Sequence, residues 1–468
     1  MKYRSEKDTM GTIRVPADAY YGAQTQRAVE NFPISGMVLP PEFIRSLALI
    51  KECAARVNTG LGLLDGKLSG SIVQAAREVA QGRFDDQFVV DVFQTGSGTS
   101  TNMNMNEVLA TRANEILTGL KDSRAPVHPN DHVNQGQSSN DVIPTALHIA
   151  ALESVRRKLI PALLLLHGTL AEKAAAFADV EKIGRTHLQD AVPITLGDEF
   201  SGYARQIALA IERMHSVEPR LSELALGGTA VGNGLNAHPE FAGRVIAVIN
   251  ERTGLAFVEA VNHFEAQAAR DAAVETSGML KTVAAGLVKI ANDIRWLASG
   301  PRCGLGEINL PSLQPGSSIM PGKVNPVIPE AVIQVAAQVT GNDMAITIGG
   351  QSGNFELNAM IPVMAHNLLQ SIRLLASSVE VFAERCIKGL TANRKLCAGN
   401  IEKSLAMATG LVPHVGYEKA AAIAKKAYAE GLTVREVAEE QQIAAQELLN
   451  RIFGPVDHGG QDGKEEKI

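Results

Sequence analysis

Cysteine and aromatic residues are scarce in this sequence, and their scarcity narrows the class of protein. The chain has four cysteines in 468 residues, none of them in a Cys-x-x-Cys pair: Cys53, Cys303, Cys386 and Cys397. This spacing argues against a disulfide framework and predicts reduced thiols, as in the cytosol. Aromatic residues make up only 4% of the chain. Abundant Ala, Leu and Val therefore favour helix packing over a β-sandwich, which needs aromatic and β-branched pairs.

Clusters of positive charge and long apolar runs are also missing. Lysine and arginine are dispersed and the net charge is −6, so no surface for a nucleic-acid backbone is expected. No stretch approaches the about 18 uninterrupted apolar residues of a membrane span. The N-terminal residues, 1–8, lack the apolar core of a signal peptide. We therefore expect a cytoplasmic protein that binds neither nucleic acid nor membrane.

What the chain does have is a series of long apolar-periodic stretches, and their period predicts helices. They cover 42–61, 143–177, 196–217, 264–298, 327–346, 357–385, 401–409, 416–430 and 434–453. Polar, glycine-bearing connections lie between them at 184–195, 226–238 and 299–325. Helices of about 30 residues with broad apolar faces normally need more partners than one chain supplies, so a homo-oligomer is expected.

The same pattern predicts an all-α fold in three domains. An irregular N-terminal domain with one helix occupies 1–138, and a central bundle of long helices occupies 139–394. A small helical domain occupies 395–468, and its charged tail from Asp457 is expected to be disordered.

The loop 316–326, Gly-Ser-Ser-Ile-Met-Pro-Gly-Lys-Val-Asn-Pro, holds the densest set of polar groups. Lys323 supplies a full positive charge, and Asn325 and the loop N–H groups can donate hydrogen bonds. Such a loop suits the stabilisation of an anion. It also suits an ordinary polar connector before a helix, and the residue types alone leave both interpretations open.

Three other polar loops carry candidate groups. Segment 184–190 contains His187, and a lone loop histidine is more often structural than catalytic. Segment 137–141 offers hydroxyl and amide groups for a carboxylate, but it would also make a good helix N-cap. Segment 95–99 adds hydroxyls on a glycine turn and lacks the lysine of a phosphate loop, while 226–234 lacks the context of a dinucleotide site.

Segment 127–132, Val-His-Pro-Asn-Asp-His, raises the question of a metal site. It holds two imidazoles and a carboxylate, but Pro129 and the loop spacing do not enforce a ligand geometry, and no second ligand cluster is evident. We expect no metal and no other cofactor.

The loop 316–326 closely resembles the signature sequence of the fumarase/aspartase superfamily, GSSxMPxKxNP. The resemblance covers nearly the whole chain except the C-terminal tail, through 4–8, 22–27, 95–106, 128–141, 184–191, 227–236, 299–307 and 349–357. It implies the superfamily's all-α fold, in which the long helices of four chains form a central bundle. It also implies the proton-abstraction step that the superfamily shares.

The resemblance assigns roles within the loop. Ser317 corresponds to the general base, an alkoxide that removes the C3 proton of malate. A serine is normally far too weak a base, so the loop N–H groups and Lys323 would lower its pKa. The carbanion would be held as an aci-carboxylate, whose doubly charged end Lys323 and Asn325 would bind.

The other loops receive roles in the same way. His187 would lie near the substrate and pair with Glu330, whose carboxylate would fix the tautomer of a relay that activates or positions water. Glu330 would also be a favourable charge at a helix start. The remaining substrate contacts would come from polar side chains in three of the loops: Ser97, Thr99, Ser138, Ser139, Asn140 and Thr186.

A secondary anion site is implied at His128, with Asn130 and Asp131. In the family pattern a basic residue stands three positions before that histidine, whereas this chain has Ala125 there and Arg124 one position earlier. This departure lowers the affinity expected of the secondary site.

Different loops point to different members of the superfamily. Segments 95–99, 138–141, 185–187 and 299–304 are similar to fumarases, whereas 15–22 and 324–330 are similar to aspartases. The substrate-contacting loops receive the greater weight, and they imply reversible hydration of fumarate to L-malate.

Two alternatives are retained. Within the superfamily it is an aspartate ammonia-lyase, and outside it a catalytically inactive helical scaffold. A serine hydrolase is excluded in its usual form, because no Gly-x-Ser-x-Gly elbow occurs.

The family architecture further implies a homotetramer whose active sites draw loops from three chains. Thr99, residues 138–140, His187 and the loop 317–325 would then meet only after assembly.

Overall fold

The computed structural model describes residues 2–122, 124–443 and 445–453. The tail from Asp457, predicted to be disordered, lies outside the described residues. The structure is 63% helical, which confirms the all-α prediction.

The α-helices follow in chain order. The first nine are α1 (Ala23–Asn31), α2 (Pro41–Gly60), α3 (Gly66–Ala80), α4 (Thr99–Thr118), α5 (Ser139–Ser154), α6 (Ile160–Ala176), α7 (Leu196–Ser216), α8 (Glu218–Ser222) and α9 (Phe241–Thr253). The others are α10 (His263–Ala268), α11 (Asp271–Leu297), α12 (Val327–Gly350), α13 (Ile361–Val381), α14 (Arg394–Lys403), α15 (Val412–Val415), α16 (Tyr417–Glu430), α17 (Val434–Glu440) and α18 (Gln446–Phe453). Short π-helical turns cover Pro129–Val133, Val155–Leu159 and Phe382–Ile387, and 3₁₀ turns cover Asp85–Gln87 and Leu405–Leu411.

Ten short strands form two-stranded sheets. They are β1 (Tyr3–Asp8), β2 (Gly11–Pro16), β3 (Glu181–Thr186), β4 (Gln189–Thr195), β5 (Glu223–Leu224), β6 (Val258–Glu259), β7 (Ile308–Asn309), β8 (Gly353–Asn354), β9 (Leu357–Asn358) and β10 (Thr391–Ala392). The pairs β1–β2, β3–β4, β7–β10 and β8–β9 are antiparallel, and β5–β6 is parallel.

The long predicted helices are confirmed. α2, α7, α12 and α16 begin and end within a few residues of the predicted stretches, and 143–177 is α5 and α6 joined by a π-helical turn. The stretch 264–298 is two helices, because Ala269 is extended between α10 and α11 with φ −86° and ψ 153°.

Three predictions about the elements were wrong. The N-terminal region contains α1, α3 and α4 besides α2, and the carboxylate of Asp65 caps α3 by accepting from the N–H of Lys67 and Leu68. The stretch 434–453 is broken into α17 and α18, with Gln442 at a positive φ of 52° between them. The stretch 401–409 is instead the end of α14 and a 3₁₀ turn.

A further wrong prediction concerns the connection 184–195, which is mostly a β-hairpin and not a loop. β3 and β4 pair from Glu181 opposite Thr195 to Thr186 opposite Gln189, with a shift of register between Ile183 and Arg185. His187 and Leu188 form the turn with φ of 55° and 61°. Both central residues of a type I′ turn have this conformation, but its usual residues are Asn and Gly. The sequence therefore gives no hairpin signal here.

The chain divides into two compact units. The first unit contains the described residues of 1–163, 209–287 and 334–378, and the second unit contains those of 164–208, 288–333 and 379–468. In the first unit, α2 packs against α3 and α5. Phe43, Leu47 and Ile50 of α2 are fully buried there. The predicted division into three domains stays a prediction.

The second unit includes a separate apolar cluster near the C-terminus. It is formed by Met407, Ala408, Leu411, Ala420, Ile423, Ala427, Val434, Val437, Ala438, Leu449 and Phe453. These residues belong to the 3₁₀ turn Leu405–Leu411 and to α16, α17 and α18, so the helices after Ser404 have a core of their own.

One helical stretch of the described residues, Ser139–Ala176, is long and apolar enough to span a membrane by length and composition. Core helices of globular proteins meet the same criterion, and the part of the stretch in α5 buries Val142, Ile143 and Leu147 in the first unit.

Candidate active site

The first unit contains the predicted carboxylate-binding side chains, Ser97, Thr99, Ser138, Ser139 and Asn140, which we call the clamp. Ser97 is buried and the other four are half-buried. Thr99 is the first residue of α4 and Ser139 the first of α5. The clamp therefore lies where two helices begin, and a helix start favours an anion.

The turn before α4 can be made only with glycine at two positions. A Cβ atom on Gly96 would lie 1.7 Å from the carbonyl oxygen of Ala359, and one on Gly98 would lie 2.8 Å from the side chain of Ile143. Gly98 also has a φ of 74°, which L side chains rarely adopt. These contacts set the place of Ser97 and Thr99.

The clamp hydroxyls form a hydrogen-bonded chain. Ser97 Oγ lies 2.9 Å from Thr99 Oγ1, which in turn lies 2.7 Å from Ser139 Oγ. The sequence placed these residues in two loops 40 positions apart, and the structure brings them into direct contact. Hydroxyls in such a chain can rotate to donate toward a carboxylate.

The start of α5 serves both as a helix cap and as part of the clamp. Ser138 Oγ accepts from the N–H of Asn140 at 3.2 Å, and Ser138 N donates to Asp141 at 2.9 Å. Asn140 Nδ2 donates to the carbonyl of Ala230 at 2.8 Å. The predicted capping role is thus present, and it fixes the backbone that carries the clamp.

Two buried charged residues, Asp141 in the first turn of α5 and Lys51 in α2, were not identified from the sequence as site residues. Asp141 is fully buried and accepts from the N–H groups of Gly227 and Thr229. Burial raises the pKa of Asp141 to about 6, against those hydrogen bonds and the charge of Lys51. Lys51 is also fully buried, and burial lowers its pKa to about 7 while the charge of Asp141 opposes the shift.

A sequence signal for Lys51 did exist. Leu47, Lys51 and Ala55 lie four residues apart and so share one face of α2. Leu47 and Ala55 are both buried. A lysine in the apolar stripe of a helix must bury its ammonium, and a buried ammonium needs partners.

The predicted secondary anion site forms a π-helical turn in the first unit. His128 Nδ1 accepts from the N–H of Asn130 at 3.3 Å and of Asp131 at 3.2 Å, and lies 3.1 Å from the Asp131 carboxylate. His132 Nδ1 accepts from the N–H of His128. Arg124 donates to the carbonyl of Lys7. The imidazoles thus already receive hydrogen bonds from the turn's own backbone.

The second unit contains the loop 316–325, which we call the base loop. Ser317 Oγ accepts from the backbone N–H of Ile319 at 3.2 Å and of Met320 at 3.0 Å. Asn325 Nδ2 donates to the carbonyl of Gly316 at 2.7 Å, which closes the loop. The Lys323 side chain is exposed.

Gly316 is required at the neck of the base loop. A Cβ atom there would lie 2.7 Å from the carbonyl oxygen of Lys323 and 2.9 Å from the nitrogen of Asn325. Backbone atoms cannot move aside as a flexible side chain can, so another residue at this position would open the loop.

The second unit also presents His187, at the tip of the β3–β4 hairpin. Thr186 and His187 are exposed, and Leu188 beside them is 65% exposed. Glu330 is in the first turn of α12 and is half-buried. Among the described residues of this unit, no hydrogen bond or ion pair joins His187 to Glu330, so their predicted pairing stays a prediction.

A buried ion network anchors the hairpin. Arg185 binds Glu307 through two hydrogen bonds of 3.0 and 2.6 Å, and the fully buried Lys182 lies 3.3 Å from Glu307 and 2.7 Å from Glu199. Asn400 Nδ2 donates to Glu307 at 3.3 Å. Burial opposes the charged form of Glu307, but Arg185 and Lys182 hold its pKa below the usual range.

Thr186 and Arg185 also line a cavity of about 530 Å³ in the second unit. Its other polar lining includes Asp198, Glu199 and Asp293. Arg185 and Lys289 line the same cavity, and Lys289 pairs with Asp293, so the charged lining is largely compensated and does not by itself identify a dicarboxylate site.

The predicted residues therefore form two sets, one in each unit. The clamp and the segment 128–133 are in the first unit, whereas the base loop, the hairpin tip and Glu330 are in the second. The clamp residues contact one another, and Ser317 contacts backbone donors. The supporting residues Lys51, Asp141, Lys182 and Glu307 were missed as parts of the site.

Comparisons with known proteins agree with the fold. A sequence profile of a lyase family matches residues 11–341, and a profile of the fumarase C C-terminus matches residues 407–457. The first match covers more than half of the chain.

Several curated proteins and solved structures are similar along almost their whole length. The class II fumarate hydratase of Nitrosomonas europaea is 59% identical over 437 residues, which are 93% of this chain and 95% of that protein. The class II fumarate hydratase of Mycobacterium tuberculosis is 57% identical over 95% of this chain and 93% of its own length. The crystal structure of class II fumarase from Schistosoma mansoni has a TM-score of 0.93 at 42% identity, and the match covers 97% of this chain and 98% of that chain.

Proposed function

Because this chain belongs to the class II fumarate hydratase family of lyases, we propose that it catalyses the reversible addition of water to fumarate to give L-malate. The observation that carries the catalytic assignment is the pair of N–H groups, from Ile319 and Met320, that donate to Ser317 Oγ. Hydrogen bonds to the charged form of a group favour that form. They therefore support a serine alkoxide as the base.

In the direction from malate to fumarate, the clamp holds one carboxylate. The hydroxyls of Ser97, Thr99 and Ser139 form a contiguous chain, and neutral donors of this kind bind a carboxylate without placing a net charge beside it. The start of α5 adds its helix dipole. Ser138, Asn140 and Thr186 complete this set in the proposal.

The alkoxide of Ser317 removes the C3 proton, and the electron pair moves into the adjacent carboxylate to form the aci-carboxylate. Lys323 and Asn325 bind this doubly charged end. A positioned donor of this kind is worth about 10²–10³ in kcat. As the double bond forms, the C2 hydroxyl leaves with a proton from the His187–Glu330 relay and becomes water. In the reverse direction the relay takes that proton from the attacking water.

We also propose a homotetramer in which each active site combines loops of three chains. His187 and Lys323 are exposed in a single chain, as expected of groups that complete a site on a partner. The long helices also expose large apolar side chains: Leu164 53%, Trp296 53%, Met344 63% and Ile348 52%. Such exposure is typical of an interface.

Two finer assignments belong to the same proposal. The four cysteines are free thiols, which supports a cytoplasmic location. The segment of His128, Asn130 and Asp131 is proposed as a weak secondary anion site. An anion there would have to displace His128 Nδ1 from the N–H groups of Asn130 and Asp131.

The test follows fumarate by its ultraviolet absorbance after the full-length protein is added to L-malate or, separately, to L-aspartate, with a chelator in both. Fumarate is expected from malate and not from aspartate. Formation from aspartate alone would make the protein an ammonia-lyase, and formation from neither would overturn the assignment of a lyase acting on these substrates.

A further inference from the structure

Lys51 is a buried cation in the unit that contains the clamp, and the mechanism above gives it no task. Its side chain is fully buried. Nζ donates to Asn134 Oδ1 at 2.9 Å and to Gln137 Oε1 at 3.0 Å. Both acceptors are neutral amides. Removing an ammonium from water is costly unless a charge or a good set of acceptors compensates.

The carboxylate of Asp141 acts on Lys51 through its charge, without a hydrogen bond between them among the described residues. Asp141 is the one charged group of the described residues whose field acts on Lys51 appreciably. Its oxygens already accept from the N–H groups of Ser138, Gly227 and Thr229. In the part of the chain that the structure describes, Lys51 has no direct ion pair, and a buried apolar side chain would fill the same place at a lower cost.

The hydrogen bonds of Lys51 connect the two elements that carry the clamp. Asn134 Oδ1, which accepts from Lys51, also accepts at 3.2 Å from Asn102 and from Asn106 of α4, the helix that begins at Thr99. Gln137, the second acceptor, immediately precedes Ser138 at the start of α5.

Asn134 also joins the two acceptors, since its Nδ2 donates to the carbonyl of Gln137 at 3.1 Å. The network thus spans from the first turns of α4 to the residue before α5. Thr99 and Ser139, the first residues of these two helices, have their hydroxyl oxygens 2.7 Å apart.

We propose that Lys51 is a positioning residue for substrate binding: through Asn134 and Gln137 it holds the starts of α4 and α5 in register, so that the clamp keeps its geometry. This inference rests on the proposed function. It assigns Lys51 to ground-state binding of the dicarboxylate, whereas the base loop acts on the chemical step.

The experiment compares Lys51 with Lys182, the fully buried lysine that the structure describes in the second unit. Lys51→Met and Lys182→Met both replace a buried ammonium by an apolar side chain of similar length. Hydrogen bonds to charged groups are each worth enough to change binding by roughly 10- to 100-fold. Lys51→Met is therefore expected to raise KM for malate by roughly 10- to 100-fold, with kcat within about threefold of wild type. Lys182 lies in β3, a strand of the hairpin that carries His187. Lys182→Met is therefore expected to lower kcat more than it raises KM.

Lys51→Arg supplies the rescue, because it keeps the charge and can donate to the same amides. Its KM is expected to return most of the way from the raised value of Lys51→Met to the wild-type value. An unchanged KM in a folded Lys51→Met variant, or a loss in kcat alone, would overturn the inference. If both Lys→Met variants raise KM equally, Lys51 contributes only to the general stability of the core, and the inference is wrong.

Two measures keep the outcome decisive. If Lys51→Met does not fold, Gln137→Leu keeps the lysine and removes one acceptor, and a wild-type KM in that variant contradicts the inference. Binding of succinate, an unreactive four-carbon dicarboxylate, is measured by calorimetry in the same proteins. If the wild-type protein binds succinate but does not convert malate, the proposed function is wrong. The affinities of the variants for succinate would still decide the role of Lys51.

Discussion

The two units present their candidate site residues differently. In the first unit the clamp hydroxyls contact one another. In the described part of the second unit, Ser317 Oγ accepts hydrogen bonds from backbone N–H groups, and His187 is exposed at a hairpin tip. The support beneath them differs as well. A lysine with amide partners lies near the clamp, and a network of paired charges, Arg185, Lys182 and Glu307, holds the hairpin. The groups proposed to bind substrate thus contact one another inside one chain, while His187 and Lys323, which are proposed to act on the reacting substrate, are exposed.

The largest effect expected separates chemistry from binding. Ser317→Ala removes the base and is expected to lower kcat by about 10²–10⁴-fold with KM nearly unchanged. Thr99→Val, its counterpart in the first unit, breaks the hydroxyl chain and is expected to raise KM with a smaller change in kcat. Initial rates of fumarate formation from malate measure both. More than a tenth of wild-type activity in Ser317→Ala would move the base elsewhere.

Mixing two impaired variants, assayed at a malate concentration well below the raised KM of the clamp variant, tests whether the two sets of residues meet between chains. One partner is Ser317→Ala, and the other carries Thr99→Val and Ser139→Ala together. If the clamp and the base loop of one site come from different chains, refolding the two together regenerates some intact sites. Activity at low malate concentration is then expected to rise at least about tenfold above Ser317→Ala refolded alone, since a lost general base costs about 10²–10⁴. No gain in hybrid oligomers, isolated through an affinity tag on one of the two variants, would place both sets on one chain.

A smaller effect concerns stability of the second unit. Arg185→Met leaves the buried Glu307 with Lys182 as its remaining cation, and breaking a buried pair costs about 3–5 kcal/mol. Arg394→Met breaks an exposed pair, Arg394 with Asp179, and serves as the matched control, with no measurable change expected. Thermal and denaturant unfolding measure both variants, and equal stabilities would contradict the role given to the buried network.

The smallest effect is a dependence on pH with opposite signs in the two units. The pKa of Asp141 is raised to about 6, so its favourable contribution is present below the unfolded pKa of about 4 and is lost as pH rises through 6. Wild type should therefore lose stability relative to Asp141→Asn between pH 4 and 6.5, by at most about 3 kcal/mol.

The pKa of Glu307 is lowered, so its contribution is present above the unfolded pKa of about 4 and is lost as pH falls through the folded value. Wild type should lose stability relative to Glu307→Gln on acidification below pH 4. Melting curves of wild type and both variants across this range decide the point, and slopes of the same sign for the two carboxylates would refute it.

The difference between the units also explains which features could be predicted from sequence. The reactive loops stand out because glycine and proline interrupt helical periodicity there, and the resemblance then names their residues. Long helices are predicted well because their apolar period is long and regular. The hairpin is missed because its turn is His-Leu, where a type I′ turn normally has Asn-Gly.

The supporting charges are harder to foresee, because their partners are distant along the chain. Glu307 lies 122 positions from Arg185, and Lys51 lies 86 positions from Gln137. The position of Lys51 on the apolar face of α2 indicates that it is buried, but nothing in the neighbouring sequence indicates which groups accept its hydrogen bonds. Such pairings depend on tertiary contacts that one sequence does not specify residue by residue.

The distance between Lys51 and its acceptors also bears on synthesis by the ribosome. Asn134 and Gln137 are made 83 and 86 residues after Lys51, which takes roughly 4–17 s at about 5–20 residues per second. During that interval the ammonium can be satisfied only by water, so α2 cannot reach its final burial. Nascent chains stalled before residue 134 should therefore leave α2 open to proteolysis, and chains stalled with α5 outside the exit tunnel should protect it.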